Sequence, residues 1–440
     1  MLGMTLAWRL ARRGQRVSLL EAAREFGGLA SAWRLGDVTW DRFYHVVLKS
    51  DTDLRDLLTE IDLESQMKWV ETRTGFYSDG KLHSLSSSIE FLRFPPLNLW
   101  QKFRLGGTIF YGSKVTNWRK LEQIPVERWL RKLSGNKTFE KIWLPLLRAK
   151  LGETYRDTSA AFIWSYIARM YKARRTGMKR EMFGYVPGGY ASVLERFCNR
   201  LEDANVELCP DRAVQEIRFD PARKQLRVRF AGERERWFDR LILTMPSSLI
   251  SRVCPDLSED EHTRFQNVRY MGVVCASLLL RKPLAGYYVT NITDSDIPLT
   301  GVIEMTAIVD PNELGGHSLV YLPKYVASTD DAAFAESDSS IRERLLSTLE
   351  KMYPDFRRAD VVEFKVARAR SVMALATLNY SEHLPPVRTS IPGLFAINSA
   401  QIVKGNLNVN ETIQIGDECL EKYVYPVLES ATMKDLASVP

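Results

Sequence analysis

Hydrophobic and polar residues recur along this chain with two different periods, and the period separates predicted helices from predicted strands. Apolar residues at helical spacing over 4–10 lead through Gly14 to a predicted strand over 15–20. That strand ends at Glu21, which is the first acidic residue of the chain. The opening pattern therefore predicts a helix followed by a strand that carries a carboxylate at its carboxyl end.

The rest of the pattern mixes helical and extended segments, which predicts an α/β fold. Asp79-Gly80 closes a predicted hairpin over 75–85, and Gly188-Gly189 interrupts the chain before a predicted helix. The predicted helices cover 53–60, 190–204, 339–352, 409–423 and much of 91–183. The predicted strands cover 206–209, 213–219, 226–230, 237–245, 393–398 and most of 255–369. The strands over 226–230 and 237–245 flank a charged turn and are expected to form a meander that returns to the main sheet.

The spacing between Gly3 and Glu21 is the first chemical signal. A Rossmann dinucleotide-binding unit has a strand, a G-x-G-x-x-G turn, a helix, and a second strand ending in an acidic residue about twenty positions on. Gly3 lies 18 positions before Glu21 and so matches the third glycine of that turn. The first strand and the first two glycines have no counterpart. We therefore expect a start codon placed too late, and an in-frame stop codon just upstream would refute that expectation.

A second glycine motif follows Glu21 and narrows the choice of cofactor. Glycines six and seven residues after a ribose-binding carboxylate let the backbone approach a large ligand closely. This E-x5-G-G stretch resembles the FAD-dependent amine oxidase superfamily, which includes protoporphyrinogen oxidases and phytoene desaturases. The superfamily often has a basic residue where this chain has Ala23, and Arg24 is its expected substitute. The resemblance implies FAD contacts from Gly3, Glu21, Arg24, Gly27, Gly28 and Leu29. An ordinary βα unit with a Gly-Gly turn is the alternative.

The same resemblance implies cofactor contacts further along the chain. Val214 matches a strand residue whose backbone brackets the adenine, and His45 follows a strand-like run near which the superfamily places the flavin. Over 398–413, a helix N-terminus is expected to face the flavin ring, where its N–H groups stabilise negative charge. The implied contacts there are Asn398, which replaces the usual acidic residue, Asn410 and Thr412. Ordinary strand positions for His45 and Val214, and a simple helix cap at Asn408 or Asn410, are the alternatives.

Length and segment order predict two interleaved domains. A chain of 440 residues exceeds what one hydrophobic core usually covers. By the resemblance, a Rossmann-type FAD-binding domain takes 1–75, 181–254 and 376–440. An α+β substrate domain takes 76–180 and 255–375. The predicted fold class is therefore α/β, with the first domain interleaved with the second.

Positive charge is concentrated in one stretch of the chain. Residues 101–184 contain 19 Lys and Arg against 6 Asp and Glu, a net charge of +13, whereas the whole chain carries only +7. Because Trp, Tyr and Phe are mixed with these cations, the stretch suits an anionic membrane surface. One alternative is a pocket for an acidic or phosphorylated substrate; another is a solvated helical face over an aromatic core. The pocket would use Arg174, Arg175, Lys179 and Arg180. Nucleic acid is not an expected partner, since no binding motif accompanies the charge.

Composition and residue spacing argue against membrane-spanning, disulfide-bonded and metal-binding proteins. No apolar run approaches the roughly eighteen residues that a bilayer-spanning helix needs. The five cysteines are scattered without a C-x-x-C pair, which indicates a reducing cytosol. The five histidines show no metal-ligand spacing, so no metal is expected. We therefore expect a cytoplasmic protein, or one that is peripheral at the inner face of a membrane.

Together these patterns predict an FAD-dependent oxidoreductase that dehydrogenates a bulky, mainly apolar small molecule. By the resemblance, the substrate is porphyrinogen-, carotenoid- or amine-like. Since the flavin performs the chemistry in this superfamily, the sequence identifies no catalytic side chain. Two alternatives stay open. One is an enzyme like UDP-galactopyranose mutase, in which reduced flavin acts without net oxidation. The other is a truncated, flavin-free relative that serves as a binding protein.

Overall fold

A computed structural model describes residues 1–175, 182–232 and 234–429, apart from the side chains of 172–175. The helices are α1 Leu2–Ala11, α2 Thr52–Glu60, α3 Ser88–Arg93, α4 Leu99–Lys114, α5 Trp118–Glu122, α6 Val126–Ser134, α7 Asn136–Thr138, α8 Leu144–Leu151, α9 Ala160–Arg175, α10 Gly189–Asp203, α11 Ser247–Val253, α12 Glu259–Asn267, α13 Asp331–Ala335, α14 Asp338–Met352 and α15 Val409–Cys419. Helices and strands alternate along the chain, which confirms the predicted α/β class.

The strands complete this mixed architecture. They are β1 Ser18–Leu20, β2 Ala32–Leu35, β3 Val38–Asp41, β4 Val47–Leu48, β5 Lys68–Glu71, β6 Thr74–Ser78, β7 Lys81–Ser84, β8 Met182–Tyr185, β9 Glu207–Cys209, β10 Val214–Asp220, β11 Gln225–Phe230, β12 Glu235–Phe238, β13 Leu241–Leu243, β14 Tyr270–Leu280, β15 Val289–Ile292, β16 Gly301–Glu304, β17 Ser318–Ala327, β18 Val361–Ala374 and β19 Leu394–Ala396. Within the described ranges, no helix is long and apolar enough to cross a bilayer.

The largest sheet has seven strands in the order β18-β14-β17-β16-β15-β6-β7. Strand β14, which lies between β18 and β17, is buried at every position, and this explains the nearly continuous apolar run of its sequence. Successive strand residues point to opposite faces of the sheet. Cys275 and Leu279 join the core shared with the helices over 99–175, whereas Ala276 and Leu278 join the core under α14. Helices therefore cover both faces of this sheet.

A second group of elements lies around two short parallel pairs. Strand β1 pairs with β9, and β13 pairs with β19. Helices α1, α2 and α10 share one hydrophobic core beside β1, and α15 packs against α1 and α2. Among the described strands, none hydrogen-bonds to both β1 and β13. The antiparallel meander β10-β11-β12 lies between them in sequence.

The structure confirms the predicted hairpin and corrects the predicted meander. Strands β6 and β7 pair with Asp79 and Gly80 at the turn, both at positive φ (53° and 69°). The strand predicted over 237–245 is wrong as a single element, because it is divided at Asp239-Arg240. Strand β12 belongs to the meander, whereas β13 runs parallel to β19. The chain must turn between them because it leaves an antiparallel sheet for a parallel pair.

Helix α12 and strand β8 are among the elements that differ from the sequence prediction. Helix α12 was not predicted, although Ser258 and Glu261 form a capping box at its start. The spacing S-x-x-E was the available signal for that helix. The helical pattern predicted up to residue 183 ends earlier, because β8 forms a strand between β4 and β5. Those partners are more than a hundred residues away in sequence, so local periodicity does not show them.

Candidate functional site

One large cavity connects the two groups of elements. Its volume is about 1550 Å³, above the range of about 300–1,000 Å³ usual for small-molecule sites. One end lies between β1 and β13, beside the start of α1. The other end is lined by α8, α9 and β17. The cavity therefore has room for a ligand larger than a single small molecule.

The loop after β1 forms one wall of this cavity. The amino group of Met1 donates to the Gly27 carbonyl at 3.3 Å, which brings the start of α1 against the loop. Gly27 has φ 118°, and a Cβ there would lie 2.5 Å from Leu194 Cδ1. Gly28 also has positive φ (59°), but no atom lies within 4 Å of where its Cβ would be. Gly27 thus has a backbone conformation that other residues rarely adopt and packs closely against Leu194, while Gly28 leaves space for a ligand.

Glu21 stands at the carboxyl end of β1, as predicted, and lines the cavity. Its backbone N–H donates to the Cys209 carbonyl at 3.0 Å, which fixes its position against β9. Its Oε1 accepts the Ala23 N–H at 3.0 Å. A carboxylate has about four acceptor positions, so Glu21 keeps capacity for hydroxyl donors of a ligand. Arg24 is exposed and is not one of the lining residues.

His45 lines the cavity next to a buried carboxylate that the sequence analysis did not identify. Its Nδ1 lies 3.7 Å from Asp41 Oδ2 and, among the described residues, has no hydrogen-bond partner. Asp41 is held in place because its Oδ1 accepts the Tyr190 N–H at 2.7 Å, at the start of α10. His45 therefore lines the cavity with its ring, while its Nδ1 is buried beside Asp41.

The start of α15 carries the polar residues predicted near the flavin. Asn408 is its N-cap and accepts the Glu411 N–H at 3.0 Å. Thr412 lines the cavity, and its hydroxyl donates to the Asn408 carbonyl at 2.8 Å. Asn410 is placed differently: its Oδ1 accepts the Leu54 N–H at 3.0 Å near the start of α2, and it does not line the cavity. The predicted cofactor contact of Asn410 does not agree with this placement.

The side chain of Asn398 also forms hydrogen bonds within the protein. It lies after β19 and is almost fully buried. Its Nδ2 donates to the Met245 carbonyl at 2.9 Å, and its Oδ1 accepts the Ala400 N–H at 2.9 Å. The side chain therefore joins the ends of β13 and β19, and these bonds leave it less free to contact a cofactor than the sequence suggested. Val214 and Leu29, for which cofactor contacts were predicted, both line the cavity.

The far end of the cavity is an aromatic chamber that sequence reasoning missed. Its phenols are Tyr44, Tyr166, Tyr288 and Tyr325. Burial raises the pKa of each phenol above its ordinary value near 10, so all four stay protonated near neutral pH. The hydroxyls of Tyr44 and Tyr325 lie 3.3 Å apart.

Lys150 of α8 completes the chamber, with its ammonium nitrogen 3.2 Å from the centre of the Tyr325 ring. A lysine three residues after the buried Leu147, and so on the same helix face, was the available sequence signal.

The predicted acidic-substrate pocket cannot be placed on its four arginines and lysines. Lys179 and Arg180 lie outside the described residues, as do the side chains of Arg174 and Arg175. Arg169, on the preceding turn of α9, is neutralised by Asp51 at 2.9 Å. In the part of the chain that the structure describes, no cluster of three or more His, Cys, Asp or Glu is arranged to hold a metal ion.

The lining residues suit a flavin dinucleotide. The Glu21 carboxylate offers acceptors for ribose hydroxyls, Gly28 allows close backbone approach, and His45 lines the cavity with its ring. The N-terminus of α15 supplies N–H groups suited to partial negative charge. Glu21, Gly28, His45 and the first turn of α15 are therefore the residues that would hold such a cofactor.

Comparisons with known proteins agree with this geometry. A family model described as flavin-containing amine oxidoreductase matches residues 2–401. A provisional protoporphyrinogen oxidase from Exiguobacterium sp. 255-15 superposes with a TM-score of 0.73 at 17% identity, covering 96% of this chain and 95% of that one. Wild-type putrescine oxidase bound to putrescine gives 0.72 at 17%, with 96% of each chain covered. Cyclohexylamine oxidase from Brevibacterium oxydans IH-35A gives 0.64 at 15%, with 94% of each covered. At such identities these structures establish the shared fold.

Proposed function

Because this chain belongs to the flavin-containing amine oxidoreductase family, we propose that it is an FAD-dependent enzyme that dehydrogenates a bulky, mainly apolar substrate. The observation that supports this proposal best is the single cavity joining the Glu21 end to the aromatic chamber. FAD, when bound, accepts a hydride from a C–H or C–N bond. We further propose that the FAD-binding domain corresponds to the Glu21 end of the cavity and the substrate domain to the end with the aromatic chamber.

The chain's own residues contribute binding, orientation and exclusion of water. Glu21 holds ribose hydroxyls at one end, while the apolar side chains of Leu147, Phe162 and Ile163 line the other. An apolar wall strengthens each polar contact inside it, because water does not compete for the donors. The buried phenols of the chamber stay protonated and so orient a substrate by donating hydrogen bonds.

The proposal is tested on purified protein by visible absorbance, chromatography of the released cofactor, and anaerobic titration with candidate substrates. We expect bound FAD whose absorbance is bleached by an oxidisable porphyrinogen, carotenoid or amine. Protein that neither carries nor takes up FAD would support the flavin-free alternative. A reaction that requires prior flavin reduction and oxidises no substrate would support the alternative resembling UDP-galactopyranose mutase.

We also propose that this enzyme docks on an anionic bilayer, through a surface formed by α3 and α4. Most of the large exposed hydrophobic side chains among the described residues fall between positions 89 and 111. They are Ile89, Leu92, Leu99, Trp100, Phe103, Phe110 and Tyr111. We call this set the aromatic face. Its most exposed aromatic side chains are Phe103 at 71% and Trp100 at 65%.

The orientation of α4 is what supports docking. The side of α4 that packs against the protein contains Thr108 and Gly112, so its aromatic residues lie on the outer side. Lys114, Arg119 and Lys120 are exposed beside this face. Aromatic rings at the lipid interface with cations near the headgroups are the arrangement of an interfacial helix. An anionic surface is the occupant that matches both the apolar side chains and the charge.

Co-sedimentation with vesicles tests the docking. We expect binding to vesicles of phosphatidylglycerol and phosphatidylcholine that weakens as salt increases, and weaker binding to pure phosphatidylcholine. Binding indifferent to lipid charge and to salt, or no binding to either vesicle, would contradict the proposal.

A further inference from the structure

Lys150 is a cation inside the cavity without a protein counter-ion. Its nitrogen lies 3.2 Å from the centre of the Tyr325 ring. In the described part of the chain, no carboxylate lies within ion-pair distance of it. The nearby Arg169 differs, because both Asp51 oxygens accept from its Nη2, at 2.9 and 3.2 Å. Lys150 is thus the chamber's cation whose charge the protein leaves uncompensated.

The carboxylates that line the rest of the cavity do not neutralise Lys150. The lining carboxylates are Glu21 and Asp239, and both belong to the end of the cavity formed by β1 and β13. Loss of water around Lys150 lowers its pKa from about 10.5 to about 7, and no neighbouring charge contributes to that change. An ammonium group in such surroundings gains strongly from an anionic ligand, because the ligand replaces the lost hydration.

We propose that Lys150 binds an acidic group of the substrate, a carboxylate or phosphate, inside the aromatic chamber. The substrate is then an amphiphilic acid, with an apolar body against Phe162 and Ile163 and its anionic group on Lys150. The phenols of Tyr44 and Tyr166 are further donors lining the same space. Calling the bound acid a substrate rests on the proposed function, whereas the binding site itself does not.

Binding of a fluorescent acid tests the assignment without turnover. The probe is cis-parinaric acid, compared with its methyl ester, on the purified full-length protein with its cofactor. We expect the acid to bind at least about tenfold more tightly than the ester, since a hydrogen bond to a charged group contributes about 1.5–3 kcal/mol. Displacement by palmitate, hexadecyl phosphate and hexadecanol separates carboxylate from phosphate, with the alcohol expected to displace least.

Matched variants locate the effect. Lys150→Met keeps an apolar chain of similar length, and we expect it to weaken acid binding about tenfold or more while ester binding stays unchanged. Lys150→Arg is expected to keep part of the preference for the acid. Lys137→Met removes an exposed lysine of α7 and is expected to change neither probe.

Three results would overturn the assignment: equal binding of acid and ester by the wild type, failure to bind either, or equal loss of both in Lys150→Met. The last would mean that Lys150 only packs. A protein that discriminates the acid from the ester but reduces no flavin would refute the proposed function and leave the site standing. Circular dichroism of each variant confirms that it is folded.

Discussion

At the scale of single residues, Glu21 and Lys150 carry opposite charges at opposite ends of the cavity and lie in different surroundings. Glu21 has a backbone N–H partner and keeps acceptor capacity. Lys150 has an aromatic ring beneath it and, among the residues that the structure describes, no counter-ion. A charge held without a partner in a low-dielectric site reduces stability, and such sites in enzymes are commonly those that meet a ligand. Lys150 therefore lowers the stability of the folded protein and strengthens the binding of an anionic ligand.

Lys150 should therefore make the stability of the ligand-free protein depend on pH. Its pKa is about 7 in the folded chain and about 10.5 when unfolded, so between these values the unfolded chain binds more protons. The contribution of Lys150 to stability then rises with pH across this range. Lys150→Met should be more stable than the wild type by about 1–3 kcal/mol near pH 7, and the difference should shrink toward pH 10. Thermal unfolding from pH 7 to 9 measures this, and a constant difference would contradict it.

Glu21 should determine affinity for FAD. Glu21→Ala removes the acceptor for ribose hydroxyls, and we expect FAD binding to weaken about 10- to 100-fold, because hydrogen bonds to charged groups contribute about 1.5–3 kcal/mol. Titration of FAD into deflavinated protein, followed by fluorescence, measures this. Glu25→Ala is the matched control, since Glu25 is exposed and outside the cavity lining. Equal affinities in the two variants would show that Glu21 does not contact the cofactor.

At the scale of elements, the loop after β1 depends on one glycine for packing as well as conformation. Gly27→Ala adds left-handed strain and a Cβ 2.5 Å from Leu194 Cδ1, so we expect a loss of about 2–4 kcal/mol of stability. Gly14→Ala is the control, because φ is 75° there but no atom lies within 4 Å of the new Cβ. Thermal unfolding of both variants separates the effect of backbone strain, which both share, from the steric overlap with Leu194, which only Gly27→Ala has. A similar loss in the two would show that Leu194 moves aside easily.

Helix α4 should carry the docking on vesicles. Replacing Trp100 and Phe103 by Ser together should weaken vesicle binding by at least about tenfold, since burying one large apolar side chain contributes about 1.5–3 kcal/mol. The control replaces Val362 and Leu378, which are also exposed but lie elsewhere, by Ser. Co-sedimentation with anionic vesicles compares the two. An equal effect of both double variants would mean that α4 has no special role.

At the scale of the whole molecule, one cavity unites segments from every part of the chain. Residues 21–29, 45, 214 and 398–412 could be named from the sequence because each belongs to a short motif with local chemistry. Most of them line the cavity, but Arg24 and Asn410 do not. Asn410 was beyond prediction because its partner, the Leu54 N–H, lies 356 residues away. Asn398 lines the cavity, and its side chain also donates to the Met245 carbonyl, which lies 153 residues away in sequence.

Sequence alone determined the α/β class, the hairpin at Asp79-Gly80, the helix before β1, and the glycine motif that pointed to a flavin dinucleotide. These follow from period, turn chemistry and spacing, which act over a few residues. Only the tertiary structure decided that β13 leaves the meander to pair with β19 and that the aromatic residues of α4 lie on its outer side. It also decided that Lys150 faces a cavity with no counter-ion from the described part of the chain. Those outcomes depend on which distant segments pack together, and the local sequence pattern does not show which segments these are.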